Sequence, residues 1–173
     1  KFINLVKKLK LKLIIHADNS FVNEKYNHNL SMVRIGFNLY NRDNSEFKHV
    51  VSIKSKIVHI NFIKKGELVG YDYRFVAQQN MKIAVVPVGY ADGFDLGYIG
   101  CELNVKGYEC KVLNICMDCF MIDISKTDLK KGDDVYILNH INSLKMYANH
   151  INSSEYEIMT KFSNMRAERK FIN

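Results

Sequence analysis

Residues 101–139, CELNVKGYECKVLNICMDCFMIDISKTDLKKGDDVYILN, decide how most of this chain folds. Strand candidates follow one another there at 101–105, 108–113, 115–124 and 133–139. Lys106-Gly107 and Lys131-Gly132-Asp133 separate some of them, and glycine supplies the positive φ that tight turns need. Strands this short, with turn signals this dense, read as an antiparallel sandwich or barrel. Working outward, residues 81–88 form another strand candidate. Val51, Ile53 and Ile57 alternate with Ser52, Lys54 and Lys56 as in a half-buried strand, and KKGE at 64–67 is a turn. Toward the C-terminus, 143–151 reads as a short helix and 154–164 as a further ordered element.

The first 44 residues follow a different pattern. Phe2, Leu5, Val6 and Leu9 recur at helical spacing, and LKLIIHA at 11–17 is a short strand. Asp18-Asn19-Ser20 can cap a following helix, and SMVRIGFNLY at 31–40 is a second apolar strand. Two apolar strands joined through a helix predict a parallel βαβ arrangement buried on both faces. The polar break NRDNSEF at 41–47 places a boundary between an α/β segment, 1–44, and an all-β domain, 45–173. Two parallel strands cannot shield their own faces, so the first segment is expected to pack against chain that precedes Lys1. The chain is accordingly expected to be the C-terminal part of a longer protein.

Composition narrows the function classes. Apolar residues make up 47% of the chain and charged residues 25%, as in an ordinary water-soluble protein. The longest nearly apolar run, 83–91, is too short to span a bilayer, and the basic start lacks a signal-peptide cleavage site. A cytoplasmic location without membrane partners is expected. The net charge of +7 is spread as lysines from Lys7 to Lys170, with no aromatic-basic stripe, so nucleic acid is not the expected partner. Of the cysteines at 101, 110, 116 and 119, the last two form a C-x-x-C pair. A continuous strand over 115–124 would send those two thiols to opposite faces. Buried free thiols in a reducing cytosol are therefore preferred to a zinc site.

Between these regions, GELVGYDYRFVAQQNMKIAVVPVGYADGF (66–94) presents Tyr71 and Tyr90 after glycines, nineteen residues apart. Alone they are strand-end aromatics or a proton-transfer pair. The ordered motifs HADNS (16–20), MVRIGFNLY (32–40), VGYDYRF (69–75), VVPVGYADGF (85–94), ICMDCFMIDI (115–124) and SEYEIM (154–159) resemble the C-terminal half of the alanine racemases. The resemblance implies α/β plus β: the last two strands of a (β/α)8 barrel, then an antiparallel all-β C-terminal domain. It also implies pyridoxal 5′-phosphate as cofactor, alanine as substrate, and a homodimer whose active sites are each completed by the partner's β domain.

Roles follow by the same resemblance. Ser20, Gly36, Phe37 and Tyr156 would hold the cofactor phosphate. Ser20 otherwise reads as a plain helix cap, Gly36 as strand packing and Tyr156 as a half-buried helix tyrosine. Arg34 would hydrogen-bond the pyridine nitrogen. An arginine holds its proton too tightly to give that nitrogen a full one. Its other reading is a guanidinium inside an apolar strand, paired with a carboxylate. Tyr71 would be the base serving one face of the α-carbon, Tyr90 would line the entrance, and Met117 would line the substrate carboxylate pocket. The family's Schiff-base lysine motif, of the type V-K-A-N-A-Y-G, is absent from these 173 residues. Leu96 and Asn114 stand where many relatives carry arginine, which predicts a less cationic entrance. The alternatives are a serine or broad-specificity racemase, a non-catalytic β-domain interaction module, and a basic nucleic-acid binder.

Overall fold

The run MKIAVV at 81–86 lacks the polar–apolar alternation of an edge strand because it lies inside a sheet. In the computed structural model, which describes residues 1–9, 12–19, 22, 25–26, 28, 30–36, 50–71, 75–162 and 166–171, the chain divides into two units, Lys1–Val50 and Val51–Asn173.

The second unit is built on a five-stranded antiparallel sheet ordered β4-β7-β10-β9-β8. These strands are β4 (His59–Ile63), β7 (Met81–Val86), β8 (Glu102–Val105), β9 (Tyr108–Ile115) and β10 (Phe120–Asp123). Two ribbons accompany it: β3 (Ile53–Lys56) with β11 (Asp134–Leu138), and β5 (Leu68–Val69) with β6 (Phe75–Val76). The β8–β9 hairpin turns at Lys106 (φ 53°) and Gly107 (φ 92°), both left-handed, as a two-residue hairpin requires. The antiparallel expectation for this unit is met. The strands at 59–63, 68–69 and 75–76 are short, and sequence alternation did not signal them.

One strand assignment is corrected. Residues 115–124 do not run straight: β9 ends at Ile115, the chain reverses over 116–119, and β10 begins at Phe120. The Cys116 amide donates to the Cys119 carbonyl at 2.7 Å, closing the turn. An apolar run without glycine hides such a reversal, because hydrophobicity reports burial and not direction. Cys116 and Cys119 therefore occupy one turn instead of opposite strand faces, and the argument that kept them apart fails. Burial, followed by the neighbouring Cys116, pushes the Cys119 thiol up to about 11. All four cysteines are free, and the described residues contain no group of three or more potential ligands that could hold a metal ion.

Aromatic side chains join sheet to helices. Phe94 stacks on Phe120 with ring centroids 4.4 Å apart, and Tyr98 tilts against Tyr147 at 4.5 Å. Tyr147 lies on α2 (Leu144–His150) and meets Phe162, which follows α3 (Glu155–Lys161), edge-on at 5.9 Å. Ser143 and Ser154 cap the two helices by accepting the Met146 and Glu157 amides. Buried Asn142 ties the ribbon to the main sheet: its Nδ2 donates to the Asn104 and Tyr136 carbonyls at 2.9 and 2.6 Å, and its Oδ1 accepts the Asn104 amide.

In the first unit, α1 (Phe2–Lys8) precedes β1 (His16–Asn19), which pairs in parallel with β2 (Met32–Arg34). The parallel pairing agrees with expectation, but the strands are shorter than 11–17 and 31–40, and residues 37–40 lie outside the described set. Within this chain the faces of the pair are not covered, as expected of two strands that cannot shield themselves: Ile14 is 76% exposed, and Met32 and Ile35 are exposed as well. Asp18 is the buried member, paired with His28 Nδ1 at 2.9 Å. Among the described residues no helix is long and apolar enough to cross a membrane.

Candidate functional site

The site is organised by the C-terminal end of β9. Asn114, 1% exposed, donates from Nδ2 to the Val69 carbonyl at 2.7 Å and to the Tyr71 carbonyl at 3.3 Å. Two residues on, the Cys116 carbonyl accepts the Tyr90 amide at 3.0 Å, and the Met117 carbonyl accepts the Ala91 amide at 3.0 Å. One stretch of backbone, 114–117, thus anchors the segments carrying Tyr71, Tyr90 and Met117. Gly89 is required at this junction, since a Cβ there would lie 2.3 Å from the Cys116 carbonyl oxygen. The three side chains themselves stay accessible, Tyr71 at 76%, Tyr90 at 49% and Met117 at 57%.

Tyr90 begins a 3₁₀ turn, Tyr90–Asp92, that is held from behind. The Asp92 carboxylate, 5% exposed, accepts the Gly89 amide at 3.0 Å and a bidentate pair from Arg166, Nε at 2.6 Å and Nη2 at 2.9 Å. The Arg166 bonds foremost, with the Gly89 amide, hold Asp92 below the ordinary carboxyl value of 3.8 against the opposing effect of burial. Asp95 is lowered in the same sense by Lys161 at 2.8 Å and by the Gly97 amide.

A folded-state pKa below the unfolded one means that the unfolded chain takes up protons first as the pH falls. These two carboxylates therefore stabilise the fold fully above about pH 4, and that contribution fades as the pH drops through their lowered values. Thermal midpoints should stay level from pH 7 to 5 and fall steeply below 4. Asp92→Asn should lower the midpoint at pH 7 and flatten the acid limb. An unchanged acid limb in Asp92→Asn would show that this pair is not responsible.

Other expected positions are more dispersed. Tyr156 stands on the first turn of α3, 53% exposed. In the first unit, Arg34 is the last residue of β2, exposed, with Nη2 donating to the Ala17 carbonyl at 3.1 Å. Among the described residues, chain neighbours aside, no heavy atom lies within 4 Å of where a Cβ of Gly36 would stand. Ser20 and Phe37 lie outside the described residues, and Asn19 Oδ1 is the observed acceptor of the Val22 amide. Leu96 is 38% exposed in a second 3₁₀ turn, Leu96–Tyr98. Asn114 is not displayed toward an entrance in this unit, because its carboxamide is engaged by backbone. That engagement, and the Arg166 latch on Asp92, were not foreseen. An asparagine inside the apolar strand KVLNI was the only sign of the first, and the second had none.

Residues 50–171 match the family described as alanine racemase, C-terminal domain. The alanine racemase of Lactobacillus gasseri is 32% identical over 162 residues, covering 83% of this chain and 43% of that protein. That of Borreliella burgdorferi is 30% identical over 190 residues, covering all of this chain and 51% of its own length. The solved alanine racemase from Acinetobacter baumannii aligns with a TM-score of 0.82 at 28% identity, over 94% of this chain and 48% of that one. The chain spans about half the length of the curated relatives it matches. With its β unit matched almost end to end, the chain belongs to the alanine racemase C-terminal domain family.

Proposed function

We propose that this chain is the C-terminal part of a pyridoxal-phosphate-dependent alanine racemase. The enzyme interconverts L- and D-alanine with two opposed bases and supplies D-alanine for peptidoglycan in the cytoplasm. Residues 1–44 are the last strands of the (β/α)8 barrel and 45–173 the β domain. The supporting observation is the treatment of Tyr71: its backbone is pinned from the core while its side chain is 76% exposed. A base that serves the active site of a second subunit in a homodimer must be displayed and held in this way.

The residues present suit the cofactor. Arg34 offers an exposed guanidinium at a strand end, with Nη2 donating to the Ala17 carbonyl. In this reading Ser20, Gly36, Phe37 and Tyr156 hold the phosphate, and Arg34 hydrogen-bonds the ring nitrogen. When bound, the cofactor supplies the electron sink that makes the α-proton of alanine removable. The Tyr71 hydroxyl exchanges that proton on one face, and Tyr90 and Met117 bound the space that admits a small amino acid. The second base is a lysine contributed by chain outside these residues.

The full-length protein, loaded with pyridoxal phosphate, should convert L-alanine to D-alanine faster than it racemises L-serine. Turnover of both substrates followed side by side by chiral chromatography tests this. A preference for serine would move the assignment to a serine racemase, and no turnover of either would end the racemase reading.

A further inference from the structure

Asn114 is a fully buried amide whose bonding capacity goes to backbone. Oδ1 accepts the Ile115 amide at 2.8 Å, and Nδ2 donates to the carbonyls on either side of Gly70, those of Val69 and Tyr71. Gly70 is shaped to the same contact. Its φ of +76° is left-handed, and a Cβ there would lie 2.2 Å from Asn114 Nδ2 and 2.8 Å from Asn114 Cγ. The ribbon that carries Tyr71 is only Leu68–Val69 against Phe75–Val76, too short a ladder to define the tyrosine by itself. Asn114, in contrast, belongs to the eight-residue strand β9 and pairs with Met121 of β10.

We infer that Asn114 is the positioning residue of Tyr71, its carboxamide fixing the backbone from which the phenol reaches the partner's substrate. The inference rests on the racemase reading. It makes the buried amide, at a position expected to belong to the entrance, an adjuster of proton transfer. Removing the donor takes a partner from the buried Val69 carbonyl and from the part-buried Tyr71 carbonyl and frees the tyrosine's main chain, so the chemical step suffers while substrate binding does not.

The test uses the full-length holoenzyme. Asn114→Asp keeps the acceptor for Ile115 but turns an oxygen toward the two carbonyls. It should lower kcat at least 10-fold and leave KM within twofold. Asn114→Thr, which keeps one donor in a side chain suited to a strand, should fall between Asn114→Asp and the parent, and it carries the test if Asn114→Asp does not fold. In a Tyr71→Phe background the same changes should cost less than twofold, because there is no longer a hydroxyl to aim. The carbonyl 13C shifts of Val69 and Tyr71, read by NMR, should move in both variants independently of turnover. Unchanged kcat, or an equal loss with and without the Tyr71 hydroxyl, overturns the positioning role while Tyr71→Phe still disables the enzyme. If Tyr71→Phe itself leaves turnover intact, the racemase reading fails instead.

Discussion

Tyr71→Phe in the full-length protein should lower the racemisation kcat by about 10²- to 10⁴-fold, the range a positioned general acid–base group contributes. The substitution removes one oxygen and leaves the ring. Because Tyr71 is 76% exposed and the Asn114 bonds run to backbone carbonyls, the fold should not notice the change. Stability and KM should therefore stay near those of the parent while the rate collapses, a combination that separates a chemical role from a structural one. Deuterium uptake at the α-carbon in heavy water gives a second readout. With the hydroxyl gone, exchange should persist from one enantiomer, through the remaining base, and vanish from the other. Equal exchange from both would mean that the second face is served by a different group.

Gly93→Ala should be the most damaging of the glycine substitutions for stability, by about 2–5 kcal/mol. The left-handed backbone contributes about 1–2 kcal/mol and overpacking about 1–3 kcal/mol. Gly93 has φ +91°, and an added Cβ would lie 2.1 Å from the Lys161 carbonyl oxygen and 2.7 Å from its carbon. The obstruction is backbone at the end of α3, so a rotamer change cannot relieve it. The strain would push α3 away from the Tyr90 turn, loosening the Lys161–Asp95 ion pair and withdrawing Phe162 from Tyr147. Gly107→Ala is the control: its φ is +92°, but nothing lies within 4 Å, so only the conformational part should be lost. Urea unfolding of the two variants separates strain from clash. Equal losses would refute the close approach at Gly93.

Among the elements of the β unit, the hairpin at 106–107, the turn at 131–133 and the short helix from Ser143 could be read directly, whereas 154–164 was legible only as an ordered element. Each is specified by a local preference that neighbouring residues carry within themselves. The reversal at 116–119 was not legible, because its residues are as apolar as the strands they join and its closing bond is between main-chain groups.

For the site, the motif order identified Tyr71, Tyr90 and Met117 as residues worth following, since their identity is chemical and local. That all three depend on residues 114–117 became visible only in the folded chain. Asn114 reaches back more than forty positions to the Tyr71 segment, and Arg166 reaches back more than seventy to Asp92. Contacts of that range leave no periodicity in a sequence, because they are set by which strands lie side by side and not by what precedes or follows along the chain. Residue type and spacing thus carried the β architecture and the family likeness, whereas strand pairing alone brought the Asn114 carboxamide to the backbone around Tyr71.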